Sequence, residues 1–99
     1  MAAFLRLDQA PSWAALCSQA TAMRALDVRA ALAQDPARVA AFSQAAPHVY
    51  ADLSKHHWTP ALEAQLQQLA VETGVLAQRD AMFAGAVVNG TEQRQVMHW

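Results

Sequence analysis

The residues that most readily bind metal in this sequence are three histidines in one stretch of the chain, His48, His56 and His57. His56 and His57 are adjacent, so their side chains point in different directions. No cysteine or carboxylate stands at a familiar zinc-ligand spacing from them. We therefore interpret all three as surface or loop histidines, and no metal-binding residue is assigned.

Two stretches offer a nucleophile. Cys17 follows Leu16 in a predicted helix with no base nearby in sequence, which favours a buried, unreactive thiol. Ser54 precedes Lys55, a pairing that is common by chance. The sequence has neither a glycine-rich phosphate loop nor paired carboxylates at a catalytic spacing. On residue chemistry alone we assign no catalytic and no cofactor-binding residue, and we expect no cofactor.

Asn89-Gly90-Thr91 matches the glycosylation sequon, which carries little weight without a secretion signal. Asn-Gly is also a common hairpin turn. The flanking residues do not alternate well, so we favour a loop followed by a helix that Thr91 caps, with the hairpin as the alternative. Trp13, Trp58 and Trp99 are candidates for stacking a ligand, but core packing is the favoured interpretation.

Composition narrows the possible partners and the compartment. The 99 residues suit one domain at most, and much of the 55% hydrophobic content is alanine, which fills little volume. The net charge is −1 and the seven basic residues are scattered, so neither nucleic acid nor an anionic membrane is an expected partner. A single cysteine and the lack of a signal or membrane segment favour the cytoplasm.

The spacing of apolar residues predicts a mostly α chain of five or six short helices. In the first half we expect a helix over about 11–25 and a short one over 28–33 that Asp27 caps. Asp35-Pro36 predicts a third helix start, with Val39 and Phe42 on its buried face.

The second half carries the clearest helix signals. Thr59-Pro60 predicts a helix that ends at Gly74, and another is expected over 75–84, with Leu76, Met82 and Phe83 apolar. In the first of these helices Leu62, Leu66 and Leu69 are expected to face inward, and Glu63, Gln67, Gln68 and Glu72 outward. The last predicted helix runs from Glu92 onward.

One stretch, at about 49–54, reads as a strand. Val49, Ala51 and Leu53 alternate with Tyr50 and Asp52. We find no convincing second strand in the sequence, so an isolated strand is expected, although its backbone groups need a partner.

The C-terminal stretch carries a pattern of ten positions: Met82, Phe83, Gly85, Asn89, Thr91, Glu92, Arg94, Val96, Met97 and His98. This pattern resembles the glucose-6-phosphate isomerase (phosphoglucose isomerase) family near its N-terminus. Weaker pieces precede it in the family's order: Trp13 to Leu16, Ala25 to Ser43 with the pattern that begins at Asp35-Pro36, and Asp52 to His56. The chain departs from the family at Leu53, usually Tyr, at His56, usually Asn, and at Gln95, usually Ala.

The resemblance implies that residues 1–99 are a single N-terminal helical segment of a larger α/β enzyme. The family interconverts glucose 6-phosphate and fructose 6-phosphate through an enediol, without a cofactor. Its catalytic glutamate, histidine and phosphate-binding groups lie in α/β domains that this chain lacks, so we carry none of these roles over. The segment is expected to be structural and inactive, with the remainder of the isomerase and its homodimer partner as partners.

A free-standing helical interaction module is the alternative. The reading frame after Trp99 in the gene would separate the two hypotheses, because a long continuation with α/β domains is expected only for the isomerase. We also expect the isolated chain to self-associate, because the strand at about 49–54 has no partner within the chain and because apolar residues lie outside any helical stripe, namely Phe4, Leu5, Leu7, Val87 and Val88.

Overall fold

The computed structural model describes residues 4–97, so the expectations that concern His98 and Trp99 lie outside the described residues. The chain divides into two compact units, one of Ala14–Gln65 and one that joins the segment before Ala14 to the segment from Leu66 onward. The elements are a short 3₁₀ helix (Leu7–Gln9), α1 (Trp13–Met23), α2 (Val28–Gln34), α3 (Arg38–Ala41), β1 (Ser43–Ala46), β2 (Val49–Asp52), α4 (Pro60–Glu72), α5 (Val75–Phe83), β3 (Val87–Asn89) and β4 (Arg94–Gln95). The predicted mostly α character is confirmed, with five α-helices within the described range. No helix there is both long enough and apolar enough to cross a bilayer.

Helix α2 begins where the sequence predicted, because Asp27 caps it. The Asp27 Oδ1 accepts a hydrogen bond of 3.1 Å from the Ala30 N–H, one of the donors that a helix start leaves without a partner. Helix α1 is shorter than expected at both ends. Pro11 lies in the turn before it, and Leu16 is its buried residue.

Helix α3 corrects the expectation for Asp35-Pro36. The Asp35 Oδ1 accepts from the Ala37 N–H at 3.0 Å and so closes a turn before the helix, which begins only at Arg38. Val39 is exposed and the buried residue of this single turn of helix is Arg38. A polar residue therefore occupies the inner side that we expected Val39 to fill.

The strand around Val49 is paired, so the expectation of an isolated strand is wrong. Strand β2 runs antiparallel to β1, from Ser43 opposite Asp52 to Ala46 opposite Val49. The two-residue turn places His48 at a φ of 64°, and Pro47 suits the position before such a residue. Nearly every residue of β1 and β2 is exposed, so neither strand needs an apolar face. The sequence of β1, SQAA, accordingly shows no apolar alternation.

Helix α4 has the predicted start and end. The Thr59 Oγ1 accepts from the Leu62 N–H at 3.1 Å, and Pro60 occupies the first helical position. Gly74 ends the helix with a φ of 71° and also precedes the first residue of α5. Its left-handed backbone favours glycine, and the ring of Phe4 packs close enough that a Cβ would lie 3.2 Å from Phe4 Cδ1.

The C-terminal stretch forms a hairpin, so the predicted helix from Glu92 is wrong. Strands β3 and β4 pair antiparallel, with Val87 opposite Gln95 and Asn89 opposite Arg94, and the register shifts between them. The Asn89 Oδ1 accepts from the Glu92 N–H at 3.1 Å, which closes the connecting turn. The stretch thus forms the hairpin that the sequence left as the alternative, although its loop over residues 90–93 is longer than the two-residue turn that Asn-Gly typically marks.

The buried apolar core is small. Among the described residues the buried hydrophobic side chains are Ala10, Leu16 and Leu69, whereas large apolar side chains such as Val71 and Leu76 are exposed. The apolar stripe of α4 that we expected to face inward is confirmed in part. Leu69 is buried, whereas Leu62 and Leu66 are half-buried. Little apolar area is therefore available to offset the entropy of folding within either unit.

We expect Thr59→Ala to lower the free energy of unfolding by about 1 kcal/mol, because it removes the side-chain acceptor at the start of α4. Thr91→Ala is the matched control. Thr91 is exposed and begins no helix, so the same chemical change should leave stability within about 0.5 kcal/mol. Urea unfolding followed by circular dichroism measures both, and equal effects would contradict the capping role.

Candidate functional site

The histidines and the cysteine singled out by the sequence are all exposed. His48 lies in the turn between β1 and β2, and His56 and His57 lie in the loop after β2. Among residues 4–97 no group of three His, Cys, Asp or Glu side chains is placed to hold a metal ion. Cys17 is exposed as well, so the expectation of a buried thiol is wrong. It neighbours the buried Leu16 on α1, but successive helical residues point about 100° apart.

Ser54 and Lys55 do not form a nucleophile and base. Ser54 is completely buried, whereas Lys55 is exposed. Trp13 and Trp58 are half-buried, in keeping with packing rather than with an open stacking surface. These residue types therefore do not assemble a reaction centre in the part of the chain that the structure describes.

Arg38 is the residue that sequence reasoning missed. Its Nε donates to the Ser54 carbonyl oxygen at 2.7 Å, and its Nη2 donates to the His56 carbonyl oxygen at 3.0 Å. The guanidinium carbon lies 4.8 Å from the centroid of the Phe42 ring. Arg38 is 5% exposed, so the side chain is committed to fixing the loop after β2. The spacing of Arg38 and Phe42 on one side of a helix turn signals their mutual contact, whereas no local spacing signals the two carbonyl partners of Arg38.

Two of the carboxylates expected to face outward make hydrogen bonds instead. Glu63 accepts from Trp58 Nε1 at 3.3 Å at the start of α4. Glu72, at the end of α4, accepts from the Ser12 hydroxyl at 2.6 Å and from the Ser12 N–H at 2.9 Å, and Ser12 is buried. Charge-assisted bonds of this length are stronger than neutral ones, so Glu72 anchors the segment before α1 to the end of α4.

Hydrogen bonding lowers the pKa of two carboxyl groups. The hydroxyl and then the N–H of Ser12 hold the pKa of Glu72 below its ordinary value of 4.5. Ser54 holds the pKa of Asp52 below its ordinary value of 3.8, and its backbone N–H donates to the Asp52 Oδ1 at 2.8 Å. Both shifts favour the charged form of the carboxyl group.

An apolar groove lies at the junction of α4 and α5, and it is here named the α4–α5 groove. Its volume is about 400 Å³ and its lining residues are Gln67, Ala70, Val71, Gly74, Val75, Leu76 and Ala77. Val71 is 73% exposed and Leu76 is 64% exposed. Exposed apolar side chains gathered in a groove are typical of an interaction surface, whereas single ones are ordinary.

Comparison with known proteins identifies the family. The phosphoglucose isomerase family model matches residues 52–99. The glucose-6-phosphate isomerase of Albidiferax ferrireducens is 54% identical over 95 residues, which cover 95% of this chain. The chain belongs to the phosphoglucose isomerase family. The isomerase of Polaromonas naphthalenivorans is likewise 54% identical over 96% of the chain, and isomerase 2 of Streptomyces coelicolor is 41% identical over 94%.

The chain spans only a small part of these relatives. It covers 18% of the length of the Albidiferax and Polaromonas isomerases and 17% of that of the Streptomyces isomerase. Within this segment, the identities given above confirm the resemblance to the phosphoglucose isomerase family. The activity that the relatives' names state belongs to proteins about five times as long.

The residues that carry the phosphoglucose isomerase pattern shape the backbone in this structure. Gly85 follows α5 with a φ of 78°, a conformation that favours glycine. The Asn89 side chain closes the turn of the β3–β4 hairpin through the Glu92 N–H. Arg94 is exposed, and its Nη1 lies 3.8 Å from a Glu92 carboxylate oxygen. The described part of the motif therefore positions a helix end and a hairpin.

Replacing Arg38 should destabilise the chain strongly. Arg38→Met leaves the buried Ser54 carbonyl and the part-buried His56 carbonyl without their donor, a loss of about 2–4 kcal/mol in unfolding free energy. Arg38→Lys should recover only part of it, since an ammonium cannot reproduce the guanidinium fork. Arg79→Met, which breaks an exposed pair with Asp80, should cost less than about 1 kcal/mol. Equal losses for Arg38→Met and Arg79→Met in urea unfolding would contradict the role of Arg38.

The Ser12–Glu72 contact should make stability depend on pH. Because the pKa of Glu72 is lower in the folded than in the unfolded state, the contact stabilises the fold at neutral pH, and this contribution is lost as the pH falls below 4.5. Ser12→Ala should lower stability at pH 7 and reduce the slope of stability against pH in the acid range. Thermal unfolding of both proteins across that range measures the slope, and an unchanged slope in Ser12→Ala would contradict this account.

Proposed function

We propose that this chain is the N-terminal helical segment of a glucose-6-phosphate isomerase and that its role there is structural. The parent enzyme would interconvert glucose 6-phosphate and fructose 6-phosphate in the cytoplasm, within glycolysis and gluconeogenesis. The chain would contribute no catalytic group. Its partners would be the remainder of the isomerase and, through it, a second subunit.

The observation that carries this proposal is the exposed α4–α5 groove. Val71, Val75 and Leu76 present apolar side chains along one surface, and the lining of the groove is almost entirely apolar. Relatives that match this chain continue for several times its length. A surface of this kind is expected where a segment packs against the rest of its protein.

The use of the polar side chains supports a structural rather than a catalytic role. Glu63 and Glu72 accept hydrogen bonds from Trp58 and Ser12, and Arg38 donates to backbone carbonyl oxygens. Each of these groups is therefore occupied by a contact that stabilises the fold. Isomerisation needs a positioned group that moves a proton between the two substrate carbons.

The purified chain should form no measurable fructose 6-phosphate from glucose 6-phosphate. A coupled assay with the Polaromonas isomerase as the positive control and a mock preparation as the blank measures this. Product formation above the blank would overturn the inactive role, although it would leave the family assignment intact.

Complementation tests the structural role directly. The Polaromonas isomerase without the residues that align with this chain should regain activity when it is co-expressed with the chain. Val71→Asp in the groove should abolish the recovery, because it places a charge against the covering surface. Ala64→Asp introduces the same charge at an exposed position of α4 outside the groove and should leave the recovery unchanged.

Recovery that Val71→Asp leaves unchanged, or that both variants abolish alike, would contradict the groove as the docking surface. Absence of any recovery, with a sharp monomer mass for the chain alone at high concentration, would favour the free-standing helical module instead. Self-association of the chain alone remains the expected result, because the exposed apolar side chains of α4 and α5 then have no cover.

A further inference from the structure

Asn89 is the only asparagine in the sequence, and glycine follows it. A glycine after asparagine leaves the next backbone nitrogen open to close approach, because no side chain shields it. At Gly90 the space is open in this structure, since a Cβ would meet no neighbouring atom within 4 Å. Its φ is not positive, so the turn does not require glycine there. Packing therefore does not explain why position 90 lacks a side chain.

The Asn89 carboxamide is held in a polarised state. Its Oδ1 accepts from the Glu92 N–H at 3.1 Å, and its Nδ2 donates to a Glu92 carboxylate oxygen at 3.4 Å. Attack on the carboxamide carbon Cγ would move negative charge onto Oδ1. A backbone N–H already aimed at that oxygen is the type of donor that stabilises such charge. The turn thus combines an accessible nucleophile with an activated electrophile.

We propose that Asn89 is a self-modification site, at which the Gly90 backbone nitrogen and then water convert asparagine to aspartate or isoaspartate. In the first step the Gly90 nitrogen loses its proton to a solvent base and bonds to Asn89 Cγ. Nδ2 takes up a proton from the solvent, the Cγ–Nδ2 bond breaks and ammonia leaves, which forms a cyclic imide. Water then adds to one of the two imide carbonyl carbons and opens the ring, with no oxidation or reduction in either step.

The product changes the β3–β4 hairpin. Aspartate at position 89 places a carboxylate beside that of Glu92 and loses the donor that Nδ2 supplied, so attraction becomes repulsion between like charges. Isoaspartate also inserts a methylene group into the backbone where Asn89 pairs with Arg94. The β3–β4 hairpin is therefore expected to loosen with the age of the protein. This inference is independent of the proposed function.

Peptide mapping of the 99-residue chain, held at mildly alkaline pH, tests the proposal. Trypsin releases residues 80–94, so mass spectrometry and chromatography can follow Asn89, aspartate and isoaspartate in one peptide. The expected result is steady conversion at least as fast as in a synthetic peptide of residues 87–93. Gly90→Ala should fold equally by circular dichroism and convert at least severalfold more slowly. Thr91→Ala keeps Asn-Gly and should convert like the parent chain.

An Asn89 that stays intact in the folded chain while the synthetic peptide converts would overturn the proposal, because the structure would then protect the site. Equal rates for Gly90→Ala and the parent chain would overturn it as well.

The structural consequence is tested by stability. Asn89→Asp should lower the free energy of unfolding of the chain, and combining it with Glu92→Gln should reduce that loss of stability. An unreduced loss in the double variant would contradict the charge repulsion.

Discussion

Two hydrogen bonds from Ser12 to the Glu72 carboxylate join parts of the chain that are 60 residues apart. They hold the segment before α1 against the end of α4 in a unit whose buried apolar side chains, among the described residues, are Ala10 and Leu69. Closing so long a loop costs entropy that a core of this size offsets poorly. A charge-assisted contact of 2.6 Å offsets part of this entropy cost. It also fixes which residue of the segment before α1 lies against the end of α4, which apolar packing alone does not specify.

The unit of Ala14–Gln65 uses a similar device with the opposite charge. Its hairpin, β1–β2, is exposed on nearly every residue and has no apolar face to anchor it. Arg38 donates from α3 to the carbonyl oxygens of Ser54 and His56 and thereby fixes the chain directly after the hairpin. In each unit a polar contact, buried at Arg38 and part-buried at Glu72, therefore helps to define the geometry, which explains why an alanine-rich sequence forms distinct elements despite its small core.

The elements predicted from the sequence are those that local chemistry determines. Asp27, Thr59 and Gly74 act within one turn of their own helices, so their patterns gave α2, α4 and the start of α5. The errors concern contacts that join distant residues or depend on burial. Strand β1 has no β-branched or aromatic residue to mark it, and no local pattern shows that Arg38 and Glu72 find partners while Cys17 and Val39 face solvent. The β3–β4 hairpin shows that two valid local signals can compete within one stretch.

The absence of a predicted catalytic residue has a physical explanation in the motif itself. Gly85 supplies a left-handed helix end, and Asn89 closes a turn on the Glu92 N–H. Such backbone requirements admit few residue types, so a pattern can identify a family without containing any group that acts on substrate. The described part of the motif therefore sets how the chain turns, whereas isomerisation depends on groups held in a site. Under the structural role proposed above, the exposed α4–α5 groove would connect the two, because its apolar surface would stabilise the part of the isomerase that carries the chemistry.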